Sequence, residues 1–308
     1  MVKVGKRSYA VVLPKRWVEL LRVKPGDPLY VVLNEDGSLT VNPLRVSGRG
    51  EIGLEVLKSI AVSTTSARAL GKLILALYSA NLRGVVLGGG LPRDGLPLPA
   101  ELATVEGVEG GTVVRFKEVH AEPEEVLEDM ARRVLEVFDL FAKGLEEPSQ
   151  GTWERVHSVE RELDVSVHLA TRLTIRKVIT ETLKKGLDSA AIVESLLNIL
   201  VAKILEDISD CIDRSVHRME ELLPLSKDFA ELFAKVKDVG GEILECYLRK
   251  CPVEDSFELL ERTTKLRKEM KKLMTTSAPP LLPLLAELDT AVTLLEDLLE
   301  ASLIRVYK

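Results

Sequence analysis

Cysteine, histidine and aromatic residues are scarce in this chain of 308 residues, which has three Cys, four His and 4% Phe, Trp and Tyr. Cys211, Cys246 and Cys251 are odd in number and lack metal-finger spacing. That excludes a disulfide framework and leaves buried or half-buried thiols, or one short bridge between Cys246 and Cys251 in a cell that tolerates it. No run of about 18 apolar residues, the length a bilayer demands, is free of charge. The nearest approach, Ala190 to Leu205, holds Glu194 and Lys203. With no signal-peptide pattern either, the expectation is a cytoplasmic protein without membrane insertion. No Ser–His–acid or Cys–His pairing is readable, so the chain is not expected to be an enzyme. The glycine triplet Gly88-Gly89-Gly90 lacks the Gly-Lys-Ser/Thr of a phosphate loop and is soon closed by Pro92, so it reads as an ordinary loop. Strand signals are missing beyond Pro123.

What is present begins with a compact N-terminal unit. Tyr9 to Leu13 has high β-propensity. Pro14 follows, suited to a first helical position because its missing N–H would have no partner there. Trp17, Leu20 and Leu21 recur at helical spacing, and Pro25-Gly26 signals a turn. Leu29 to Leu33 and Ser38 to Val41 then read as a hairpin across Asn34 to Gly37. A unit of about 43 residues cannot build a deep core alone, so it is expected to dimerise. Residues 1–43 carry a net charge of +3 and the remainder −9, within the total of −6. A basic head on an acidic body fits an anionic partner at the head, although such a surface is also common without one.

Leu13-Pro14-Lys15, the helix with Trp17 and Leu20, and Pro25-Gly26-Asp27 before a hairpin resemble the AbrB/SpoVT/MazE swapped-hairpin family. The resemblance spans residues 2–43. It implies two chains interlaced into one β-barrel, a homodimer, and DNA binding. The candidate DNA contacts are Lys6, Arg7, Lys15 and Arg16. Ala10, Val18 and Glu19 stand where DNA-binding members carry arginines, and Arg22 stands where a Gly follows the helix.

Residues 44–121 read as a small α/β region. The expected elements are a strand at Ile52, Leu54 and Val56; a helix from Thr64 or Thr65 to Asn81; a strand at Val85 to Leu87; a short helix from Pro99 to Gly107; and a strand from Thr112 to Val119. From residue 122 to 308 the pattern is all helix. Expected helices run from Glu124 to Gly144, Thr152 to Lys185 before Gly186, Asp188 to Leu223, Ser226 to Leu248, Asp255 to Met274 with Glu258 at capping-box spacing, and Leu284 to Arg305. Ser277 to Pro280 reads as a linker. Long helices on short loops predict an up-down bundle, as two three-helix units in series.

His157, Glu160, Asp164 and His168 share one face of the second long helix. Glu206, Asp210, Asp213 and His217 share one face of the third, opposite Leu197, Val201, Ile204 and Ile208. Carboxylates and imidazoles together could ligate a metal; a solvated polar face has the same pattern, and both readings stay open. Leu205-Glu206-Asp207-Ile208-Ser209-Asp210 and Glu160-Arg161-Glu162-Leu163-Asp164 resemble the paired acid motifs of the PhoU family. That resemblance implies a pair of three-helix bundles and an iron or zinc cluster on Glu160, Asp164, Glu206 and Asp210, with His157, His168, Asp213 and His217 as additional candidates. Cys211 replaces the usual His. In the second repeat Asp289 aligns with an acid, but Leu285 and the Glu261/Lys265 pair do not complete a set. Head, middle and body together resemble archaeal AbrB–PhoU fusions named as phosphate-uptake regulators. The expected fold is therefore α+β multidomain, and the expected role a dimeric, DNA-binding regulator of phosphate uptake. The alternative is an adaptor that dimerises through its head and docks on a phosphate transporter component or a signalling kinase.

Overall fold

The computed structural model describes residues 2–4, 8–10, 12–15, 18, 23–26, 29–33, 39–43, 58–60, 67–87, 95–108, 111–185, 188–219, 227–277 and 279–306. It divides into two compact units, Met1–Glu55 with Ile179–Asp188, and Val56–Val178 with Ser189–Lys308. In the first, strands β1 (Val2–Val4) and β2 (Ser8–Ala10) pair antiparallel, as do β3 (Leu29–Leu33) and β4 (Leu39–Pro43). Strand β1 is not among the strands expected from the sequence. Val18 N–H donates to Pro14 C=O at 3.1 Å, so a helical turn does follow Pro14. Gly26 has φ +94°, the conformation for which a Pro-Gly turn needs glycine. Trp17, Glu19, Leu20, Leu21, Arg22 and the turn at 34–37 lie outside the described residues.

In the second unit, β5 (Lys58–Ile60), β6 (Gly84–Leu87), β7 (Ala103–Val108) and β8 (Gly111–Phe116) form one sheet in the order β5-β6-β8-β7. Helix α1 (Ala67–Ser79) connects the parallel pair β5 and β6, and the rest is antiparallel. The expected helix from Pro99 to Gly107 is therefore wrong. A single turn closes there, Leu102 N–H donating to Pro99 C=O at 2.9 Å, and the chain then extends as an edge strand. Thr104, Val105 and Val108 are β-branched and pair along β8, which overrides a helix-like start. The last strand stops at Phe116, not Val119. The strand at Ile52 to Val56, caps at Thr64 or Thr65 and the glycine triplet fall outside the described residues.

Helix α1 buries Leu70, Ile74 and Tyr78, at i, i+4 and i+8, and ends on Asn81 in the left-handed region at φ 58°. The buried Arg172 closes this end. Its guanidinium donates to the carbonyls of Tyr78 and Leu82, each at 2.8 Å, and lies 4.7 Å from the Tyr78 ring centroid. Carbonyls at the end of the helix thus solvate the Arg172 cation, with the Tyr78 ring beside it.

The remaining helices are α2 (Pro123–Glu146), α3 (Gln150–Lys185), α4 (Ser189–Met219), α5 (Lys227–Arg249), α6 (Val253–Thr276) and α7 (Leu282–Val306). Their expected spans hold to within a few residues, with two exceptions. Helix α4 is described only to Met219, because 220–226 lie outside the described residues along with the cap at Ser226. Helix α6 starts at Val253 after Pro252, with no side-chain cap bond, so the Asp255/Glu258 capping box is not formed. The capping contact of this type belongs to α2, where Glu125 accepts from the Glu122 N–H at 3.2 Å. Pro123 opens that helix, and Leu127, Met130, Ala131, Val134, Val137, Phe138 and Phe141 form its buried stripe. A single hydrophobic core runs through all six helices, with Phe141 and Phe233 at 4.6 Å and Phe141 and Trp153 at 5.9 Å between centroids. Helix α4 packs on α2 and α7, and α2 on α5, so the two sets of three helices share one interior rather than standing in series. Cys246 and Cys251 are joined by a disulfide across the turn from α5 to α6, and Cys211 is a free, buried thiol.

Candidate metal centre

Helices α3 and α4 bring the two acid stripes face to face. Glu160 and Asp164 on α3 and Asp210 on α4 present carboxylate oxygens all within 4.8 Å of one another, and Glu206, Asp207 and Asp210 form a second such group. At one end His157 contacts Asp213. A side-chain hydrogen bond also links Asp164 to Glu206. These pairs step in opposite directions along the two helices, so the helices run antiparallel. Sequence spacing explains the match: 157, 160 and 164 on α3, and 206, 210 and 213 on α4, each return to one face after three or four residues.

The face is partly buried. Glu206 is only 8% exposed. Burial, then the charges of Asp164, Asp213 and Asp210, push the Glu160 carboxyl up to about 8. Burial also pushes Glu206 up to about 7; the Lys203 hydrogen bond pulls against that rise, while Asp210 adds to it. Asp210 is raised as well, by burial first, with Arg214 opposing. Two cations moderate the field. Lys203 contacts Glu206 and lies 2.8 Å from Asp207. Arg214 donates to Asp210 at 3.2 Å and to Glu287 on α7 at 3.0 Å. Neither cation is among the residues expected from the sequence to serve this face, although each sits three or four residues from its acid, the spacing that marks helix ion pairs.

Seven of the eight candidate ligands lie in this row: Glu160, Asp164, Glu206 and Asp210 in the middle, and His157, Asp213 and His217 at one end. His168 does not join them. One level beyond the last acid of α4, its Nδ1 lies 2.8 Å from the Ser79 hydroxyl, which itself donates to the Leu75 carbonyl at 3.0 Å. Burial lowers its pKa; Asp164 opposes that shift and Lys203 adds to it. In the second half of the body, Asp289 is paired with Arg267 at 3.2 Å, and Leu285 is buried in the core. No metal-type group of His, Cys or acid side chains occurs there among the described residues.

Crowded carboxylates that outnumber their cations are the chemistry of a cation site, because a bound ion offsets both the burial and the like-charge repulsion that raise Glu160 and Glu206. Glu160, Asp164 and Asp210 form one set of oxygen donors, and Glu206 joins Asp210 through the second set with Asp207. In the head, Lys15 is exposed; Lys6, Arg7 and Arg16 lie outside the described residues.

Residues 2–48 match the family model described as antidote-toxin recognition MazE, bacterial antitoxin. No curated protein matches the chain. The head is thus MazE/AbrB-like, in the region where Leu13-Pro14-Lys15 and Pro25-Gly26-Asp27 carry that resemblance. Among the described residues, no helix is long and apolar enough to cross a membrane.

Proposed function

We propose that the chain is a homodimeric regulator of phosphate uptake that binds DNA through its MazE/AbrB-like head and uses its helical body as a cation-dependent sensing or docking part. The observation that carries the regulatory reading is the family match over residues 2–48. Val12 and Val31 in that head are 79% and 53% exposed in the single chain, apolar surface that a second copy would cover. Lys6, Arg7, Lys15 and Arg16 would contact phosphates and set affinity rather than sequence preference. The phosphate-uptake assignment draws on the resemblance of the Glu160–Asp164 and Glu206–Asp210 motifs to the PhoU family. Those four carboxylates would hold an iron or zinc ion or cluster, whose charge would neutralise theirs and fasten α3 to α4.

The test is fluorescence anisotropy of the full chain on DNA from its own promoter and from phosphate-gene promoters at low salt. Binding to one of them is expected, and failure to bind either would defeat the DNA reading. Elemental analysis of protein purified without chelator should find iron or zinc; none on purification and none on titration would return the acids to a solvated face.

A second reading is an adaptor. Ala10 and Val18 are apolar and half-buried, where DNA-binding relatives of this fold carry arginines. In that reading the head serves to dimerise, and the body docks on a phosphate transporter component or a signalling kinase. Capture of such a component from membranes, together with no DNA shift, would favour it.

A further inference from the structure

The end of the row opposite His168 has different chemistry from its middle. His157 on α3 and Asp213 and His217 on α4 each offer one ligand atom, all within 4.8 Å of one another. His157 Nδ1 is hydrogen-bonded to one carboxylate oxygen of Asp213, a bond that an ion would replace, and His217 Nε2 lies 3.6 Å from the other. The two imidazoles stack with centroids 4.5 Å apart and 24° between their planes. The 3.6 Å separation is too long for a hydrogen bond. It is close to the ~3.4 Å edge of a tetrahedron whose metal–ligand bonds are about 2.1 Å.

Position and access also suit an ion. The side chains of His157 and Asp213 are 21% and 15% exposed, and His217 is 63% exposed, which leaves one open side. Val156 and Val159 anchor the backbone around His157 in the core, and Ile212 and Val216 do the same around Asp213. The ligand types separate this group from the neighbouring carboxylates: imidazole nitrogens select borderline transition metals, whereas all-oxygen sets suit hard cations.

We propose that His157, Asp213 and His217 bind one divalent transition-metal ion of the zinc type, with a fourth position open to water, at a site separate from the carboxylate centre. The site stands whether or not the carboxylate centre is occupied, and either can fail alone.

The test uses the full chain after chelator treatment, titrated calorimetrically with Zn²⁺ and followed by visible absorption with Co²⁺. One Zn²⁺ per chain should bind in a step that His217→Gln and His157→Gln each weaken at least tenfold. The Co²⁺ bands of a four-coordinate imidazole site should vanish with that step. Asp164→Asn combined with Asp210→Asn, which disables the carboxylate centre, should leave both signals in place. His217 is exposed, so its variant decides the matter if His157→Gln does not fold by circular dichroism. Unchanged Zn²⁺ binding in His217→Gln would overturn the proposal. So would loss of all Zn²⁺ in the aspartate double variant with none lost in the histidine variants, which would assign the ion to the carboxylates.

Discussion

Individual positions in the helical body carry opposite signs that residue type alone does not reveal. Gly240 and Gly241 are adjacent in α5, and both look like weak points in a helix. A Cβ built on Gly240 would meet Phe138 Cε2 at 2.8 Å and Leu295 Cδ1 at 3.1 Å, whereas on Gly241 the nearest atom is Leu135 Cδ2 at 3.7 Å. Gly240→Ala is therefore expected to destabilise by about 1–3 kcal/mol through overpacking. Gly241→Ala should stabilise by up to about 1 kcal/mol through helix propensity. Urea unfolding midpoints of the two variants measure both. Glu124 gives a pH-dependent case. Burial raises its pKa, but hydrogen bonds from Lys177 at 3.0 Å and Asn198 at 3.2 Å, with the Lys177 charge, outweigh burial, and the net shift is downward. A carboxyl with a lowered folded pKa adds stability above its unfolded pKa and loses it as pH falls through the folded value. Glu124→Gln should cost about 1 kcal/mol at neutral pH. That cost should fade once pH drops below the ordinary carboxylate range, and unfolding midpoints across pH would show the two proteins converging.

Among the elements, the long helices were the most legible, because a 3.6-residue apolar repeat sustained over six turns or more has few other solutions. The face-to-face acids were half legible. Spacing showed each stripe, but which stripe met which depended on the antiparallel packing of α3 and α4, and burial of Glu206 depended on that same packing. His168 shares the period and still falls outside, because its ring pairs with the Ser79 hydroxyl instead. Strand β7 was misread for a related reason. After Ala103 all of its residues are exposed, so no alternation marks it, and its conformation comes from pairing with β8. The packing of α3 on α4 also makes a prediction. In metal-free protein the acids repel across this contact, so Asp164→Asn should raise the thermal midpoint by roughly 1–4 °C for a gain of about 0.5–1 kcal/mol. The same variant should respond less to added Zn²⁺ or Fe²⁺, because a ligand stabilises by about 2.7 kcal/mol at a hundred times its Kd only if its site is intact. A midpoint that falls in the apo variant would mean Asp164 is structurally paired rather than repelled.

For the whole molecule, charge division sets the expected behaviour toward DNA. The first 43 residues carry +3 and the rest −9, so attraction to a phosphate backbone has to come from the head while the body opposes it. Counterion release makes the logarithm of affinity fall with the logarithm of salt at about −0.9 per neutralised phosphate. Four basic side chains per chain in a dimer would give a slope of roughly −7. Lys15→Ala should weaken binding to all sequences alike, since a phosphate contact carries no base information. The size of its effect on the slope counts the copies engaged. In a dimer with both heads on DNA, one substitution removes two contacts and the slope should shrink by about 2. A single engaged head would change it by about 1, and a chain that reaches DNA through other residues would leave it unchanged. Measuring the slope between low and physiological salt for the natural chain and this variant therefore tests dimerisation, the basic cluster and the DNA partner in one series.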